Sequence, residues 1–342
     1  MQRNQSIDLI KVIAMLGVIV LHTTLQFHLD KTIIGHVLFS MAGISMPLFF
    51  MVSGYLMLNK GRDYLYLLKK CVNIIWFVLI VTFLLDILIL RTDFSLKEWG
   101  LDFVTSFLQR RRFFVFWYFG TIILLYLAVP LFDNLRNRSI KKYIILCFVF
   151  LLLGSIFQDM NITNNFETII PQPLRFWYWS FYFMIGGLVR ELLNKNDKLL
   201  CVNDVNLRHN YSNLGGKLLI ISLYALYVLY YLWAKKYVGQ YGIEYLFGSL
   251  PCQILSISLF IIIIKNVQIK DNKIISFFSN LFLPVYSLHM FVISKTAFIS
   301  NYCNFDITSI TALFYYLFVS AVTIGLSWII MKLPILKSIF RI

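Results

Sequence analysis

About ten stretches of roughly twenty apolar residues follow one another along this 342-residue chain, and that pattern restricts its fold more than anything else in it. A bilayer core is about 30 Å thick, and a helix rising 1.5 Å per residue crosses it in about 20 residues. No water is available there for backbone N–H and C=O groups, so such segments have to satisfy them internally, as helices do. The windows lie near 8–28, 36–58, 70–90, 113–132, 142–158, 175–193, 217–234, 245–264, 274–295 and 310–331. The fifth is short, and the ninth is interrupted by Asn280, Pro284 and His289. The expected fold is all-α: one polytopic membrane helix bundle of about ten transmembrane helices spanning residues 1–342. The longest polar stretch, about 194–216, is too short to bury a core of its own, so no separate soluble domain is expected.

Composition agrees with this and excludes several functions. The chain is 59% hydrophobic and 14% charged, against about 25% charged in soluble domains. Its formal charge of +15 comes from lysines and arginines clustered between apolar runs, which is how membrane topology is encoded and not how a nucleic-acid face is built. With the amino terminus inside, the cytoplasmic loops collect about twice the lysine and arginine of the outer ones, so both termini are expected in the cytoplasm. Half of the outer basic residues lie in one loop, 91–112. Arg3 precedes an apolar run, as in a secretory signal, but Asp8 and Lys11 interrupt that run and no small-x-small cleavage pattern follows, so it is read as the first span. The five cysteines are scattered, with no C-x-x-C pair, and indicate neither a disulfide frame nor a metal site.

That first span carries Asp8, Lys11 and His22. At about 100° per residue, His22 returns to within roughly 20° of Lys11 and roughly 40° of Asp8, so one helix face holds all three. Asp8 and Lys11 stand at the spacing where opposite charges meet on a helix, and an interfacial ion pair with a snorkelling lysine would explain them alone. His22 lies about 16 Å further along the same face, towards the outer half of the bilayer. An ionisable residue at that depth reads by default as functional, and an imidazole can take a hydroxyl proton near neutrality. The three histidines 22, 28 and 36 do not make a metal site, because His22 and His28 lie about 240° apart around the helix.

The second span contains Pro47-Leu48-Phe49-Phe50 and Ser53-Gly54-Tyr55-Leu56. Ser53 and Gly54 are either a close-packing point between helices or a place where a ligand passes; Pro47 is expected to kink the helix. No P-loop, dinucleotide fingerprint, H-E-x-x-H or G-x-S-x-G occurs.

Asp8, a basic residue, ten residues and His22, followed by the Pro47 and Ser53 segments, resemble the start of the acyltransferase 3 family of bacterial membrane O-acyltransferases. The resemblance continues through Phe116-Trp117-Tyr118-Phe119 to Pro130, through Tyr182-Phe183 before Gly186-Gly187, and through Tyr286-Ser287-Leu288-His289, covering essentially the whole chain. One departure is Lys11, where the family usually has arginine; a point charge replaces a planar fork. The resemblance implies an enzyme of the bacterial plasma membrane that moves an acyl group, usually acetyl from acetyl-CoA, to a hydroxyl of a sugar or envelope polymer, with acyl-CoA as substrate and no bound cofactor or metal. It implies His22 as base, supported by Lys11 and Asp8. The expected binding residues are Ser53, Gly54, Lys69, Lys70, Trp117, Tyr118, Tyr286 and His289, with Arg110, Arg111 and Arg112 drawing an anionic acceptor from outside. Direct transfer and an acyl-histidine intermediate both remain open, as does the oligomeric state. Lys69 and Lys70 also suit topology anchors, Asp86 suits a partner for the three arginines, and Tyr286 and His289 suit packing. A transporter whose polar stripe lines a path without making a bond is the main alternative; a membrane sensor is a weaker one.

Overall fold

The computed structural model describes residues 4–26, 33–87, 94–164, 170–199, 211–238, 246–266, 271–302 and 309–340, and no strand occurs among them. The helices are α1 (Gln5–Gln26), α2 (Ile33–Ala42), α3 (Ser45–Met57), α4 (Tyr64–Leu85), α5 (Leu96–Ser106), α6 (Trp117–Arg138), α7 (Ile140–Asn164), α8 (Phe176–Leu199), α9 (Tyr211–Val238), α10 (Leu250–Asn266), α11 (Lys273–Asn280), α12 (Phe282–Tyr302), α13 (Ser309–Lys332) and α14 (Pro334–Ile339). Short 3-10 turns at Phe114–Phe116 and Gln172–Leu174 lead towards α6 and α8. The middle of the polar 194–216 stretch, 200–210, lies outside the described residues, as do Cys201 and Cys303. Cys71, Cys147 and Cys252 are buried free thiols.

Among the described residues, six helical segments are long and apolar enough to cross a membrane: Gln5–Thr24, Gly35–Met57, Tyr64–Leu85, Phe114–Arg138, Ile140–Met160 and Leu313–Lys332. A seventh is the pair α11 and α12, bent by 58° at Leu281. The expected windows at 175–193, 217–234 and 245–264 also fall on helices, but α8 is less apolar, and the described apolar parts of α9 and α10, Leu218–Ala234 and Leu250–Lys265, lie near the short limit for a crossing. Among the described residues, length and composition alone support six or seven crossings and do not by themselves establish the ten expected from the sequence.

Lipid-facing and core-facing helices are told apart by which side chains they expose. α7 presents Ile144, Ile145, Phe148, Leu152 and Ile156 outward, and α13 presents Ile310, Phe314, Leu317 and Ile329. Such continuous apolar faces belong against hydrocarbon. α1 lies inside. It packs on α2, α3, α10, α11, α12 and α13 and buries Ile7, Ile10, Ala14, Met15, Val18 and Ile19. Asn4 starts it, its side-chain oxygen accepting from the backbone N–H groups of Ser6 at 3.0 Å and Ile7 at 3.2 Å.

The expected kink at Pro47 takes a different form. The second span breaks one turn earlier, at Gly43 and Ile44, and Pro47 sits in the first turn of α3, where its missing N–H has no intrahelical partner to lose. α3 then lies against α8 at backbone distance. A Cβ on Gly54 would come 1.8 Å from the Phe183 carbonyl oxygen, and one on Gly186 would come 2.0 Å from that of Met51. The two glycines are reciprocal notches, the small-residue contact by which membrane helices approach closely. Gly54, expected to border the substrate path, thus has its open side filled by α8.

Candidate active site

The three ionisable residues of α1 divide between its two ends. Near its start, Asp8 is buried; its Oδ1 accepts from the Ser279 hydroxyl at 2.7 Å and lies 3.9 Å from the Lys11 ammonium. The Ser279 hydrogen bond therefore ties α1 to α11, while the Lys11 pair stays within α1. His22 lies about 16 Å along the helix from Lys11, by helix rise, and faces a different set of neighbours.

Its ring is 5.1 Å from that of His289 on α12 and 5.9 Å, edge-on, from Phe114. His22, half-buried as a residue, lines a recess bounded by Val18 and Leu21 of α1, Met46 of α3, Trp117 of α6, Gln172, Phe247 and Tyr286. The free space is about 10 Å³, room for one water-sized group.

His289 is fully buried, and its Nδ1 lies 2.6 Å from the Tyr286 carbonyl oxygen. A carbonyl only accepts, so that nitrogen carries the proton and Nε2 keeps its lone pair. Nε2 has no hydrogen-bond partner. An unpaired polar atom in a protein interior costs about 1–3 kcal/mol, and here it lies in the ring beside His22. α12 is held in place by the Tyr286 hydroxyl, which donates to the Val115 carbonyl in the turn next to His22. The Tyr118 and Ser53 hydroxyls share a hydrogen bond of 3.1 Å, and the Tyr118 and Tyr286 rings are 5.7 Å apart. Trp117 packs on Trp179 at 5.1 Å and closes the recess on the α6 side.

His22, His289, Tyr286, Tyr118, Ser53 and Trp117, taken from α1, α3, α6 and α12, are thus one connected group. The other expected binding residues lie elsewhere. Lys69 is exposed, and the Lys70 ammonium lies 5.9 Å over the Tyr66 ring. In the outer loop, Arg111 pairs with Glu98 at 2.6 Å and Asp102 at 3.2 Å, and Arg112 pairs with the buried Asp86 at 2.7 Å. These pairs clamp α5 onto the end of α4, so Arg111 and Arg112 are engaged with carboxylates and not held open for an acceptor. Arg110 remains exposed. Sequence reasoning missed Gln172 and Phe247, which reach the recess from segments without a motif. Among the described residues no group of three or more His, Cys, Asp or Glu side chains is arranged to hold a metal ion.

Residues 4–332 match the family model of the acyltransferase domain Acyl_transf_3. No curated protein and no solved structure matches the chain. With a match over nearly its whole length, apolar helices arranged as a multi-pass bundle and a histidine recess inside it, the chain belongs to the acyltransferase 3 family and is a membrane acyltransferase.

Proposed function

We propose that the protein transfers acetyl from acetyl-CoA to a hydroxyl of a cell-surface or envelope saccharide, with His22 as general base, in the plasma membrane of a bacterium. The observation that carries this reading is His22 lining a recess inside the bundle, 5.1 Å from the ring of His289, whose Nε2 is unpaired. In the proposed step the acceptor hydroxyl gives its proton to His22 as its oxygen bonds to the thioester carbonyl carbon. The C–S bond then breaks, and the leaving thiolate takes the proton back from the imidazolium. Proton transfer by a positioned base is typically worth about 10² to 10⁴ in rate. His289, with Nδ1 held by the Tyr286 carbonyl and its ring 5.1 Å from that of His22, is suited to accept the N–H of His22 and so orient the ring, the part played by a third group in many base–nucleophile sets.

The recess holds one water-sized group at rest, so both reacting ends require its walls to part. Among the lining side chains Met46, an unbranched thioether, is the most adaptable. Ten crossings with both termini in the cytoplasm belong to this reading, with donor and acceptor arriving from opposite faces. The bend at Leu281 and the break at Gly43 and Ile44 favour transport, since broken helices line many transport sites. They are weighed against a family match to acyltransferases.

The test is mass spectrometry of envelope polymer from cells with and without the protein. An acetyl-sized mass difference on the saccharide is expected, and identical spectra would refute the acceptor class. A second expectation concerns Lys11. If it supplies only charge to Asp8, Lys11→Arg keeps transfer within about twofold, whereas Lys11→Ala loses more than about tenfold, worth ~1.4 kcal/mol of barrier. Equal loss in both would show that ammonium geometry is required.

A further inference from the structure

A larger cleft, about 410 Å³, opens at the Asp8 end of the bundle between α11, α13 and α14. It lies within the size range of ligand pockets, roughly 300–1,000 Å³. Lys332 and Lys337 line it together with Trp328, Phe340, Asn280 and Leu281. No carboxylate is among its lining residues, and among the described residues neither lysine forms an ion pair. The Lys332 ammonium lies 5.3 Å over the Trp328 ring, so charge and aromatic surface are presented side by side. α14 is held over the cleft by Phe340, whose ring packs edge-on against Phe77 of α4 at 5.4 Å.

The cleft is linked along the chain to Asp8 and to the His22 recess. Asn280 lines it, and the preceding residue, Ser279, is the one that bonds Asp8. Leu281 lines it too, and Tyr286, five residues on and about 8 Å along the chain by helix rise, lines the His22 recess. A ligand with a charged head in the cleft and a thin arm along α12 would bring its far end to His22.

We propose that this cleft binds the phosphorylated nucleotide head of the thioester donor, with Lys332 and Lys337 on the phosphates and Trp328 and Phe340 against the planar base; this rests on the acyl-CoA reading above. Lysine is a point-charge binder of phosphate, and the two ammonium groups supply the positive field that such a head needs. The phosphate of a phospholipid headgroup has the same charge. The aromatic surface beside the lysines and the position of the cleft below His22 favour the nucleotide.

The experiment is equilibrium binding of coenzyme A to the full-length protein in nanodiscs of phosphatidylcholine. The double variant Lys332→Glu/Lys337→Glu is expected to bind at least tenfold more weakly, and Lys332→Arg/Lys337→Arg to stay within about threefold. Pantetheine, which lacks the nucleotide, should bind wild type and the glutamate variant alike. Unchanged coenzyme A affinity in the glutamate variant overturns the proposal. So does coenzyme A binding that disappears from the wild type once phosphatidylglycerol is added, which would assign the cleft to lipid. His22→Gln keeps the head site and should bind coenzyme A normally, so loss of binding in the lysine variant and loss of transfer in the histidine variant fail independently.

Discussion

Replacing His22 with glutamine is expected to cut acyl transfer by about 10² to 10⁴, the usual loss when a positioned base is removed, equivalent to roughly 3–5 kcal/mol of barrier. Glutamine is polar and fits the space of an imidazole, and the ring it replaces packs against His289 and Phe114 without anchoring a helix. The variant should therefore be inserted, fold and melt like wild type, and purified protein should show the loss in kcat and not in donor KM. Thiol release from acetyl-CoA, measured beside a melting curve, checks both. A His22→Gln protein that transfers at the normal rate removes the base from the mechanism, whatever the acceptor proves to be.

The second large effect is structural. Gly54→Val should destabilise the bundle by more than about 3 kcal/mol, the upper range for forcing atoms into a packed interior, because the first added carbon meets the Phe183 carbonyl. Backbone cannot swing aside as a flexible side chain does, so α3 and α8 have to separate. Gly186→Val should do the same from the opposite side, through the Met51 carbonyl. Thermal melts in detergent check this: a midpoint several degrees lower in both variants is expected. A normal melt with a raised substrate KM in Gly54→Val would instead return Gly54 to the substrate path.

The contrast between these two residues shows where sequence reasoning works. His22 was legible because its signal is local: eleven residues at a fixed helical period bring it onto the face of Lys11, and an ionisable group at that depth needs a reason to be there. Gly54 carried two meanings, close packing or ligand passage, and its own segment could not choose between them. Only the position of Phe183 on α8 decided. Arg111 and Arg112 were equally ambiguous until Glu98, Asp102 and Asp86 came within bonding distance. Nothing in the sequence joins Lys332 and Lys337 in a cleft, because the docking of Phe340 on Phe77, which folds α14 back over it, leaves no periodic trace.

The number of crossings shows the opposite limit. Apolar windows located the helices well, including those at 175–193, 217–234 and 245–264, but the lengths that bear on a crossing came from where each helix starts and stops. The bend at Leu281 and the break before Pro47 depend on local backbone geometry that hydropathy does not register.

From its sequence alone this protein was determined to be helical, membrane-embedded and a member of its family, with a stripe of Asp8, Lys11 and His22 on its first helix. These properties follow from solvent preference and helical periodicity, which act over a few turns of one segment. The tertiary structure alone decided that His22 meets His289, that Asp8 bonds Ser279 and that two lysines near the carboxyl end share a cleft below them. Each of those joins residues far apart in the chain, and the choice of neighbour is made by how whole helices pack, which no single segment encodes.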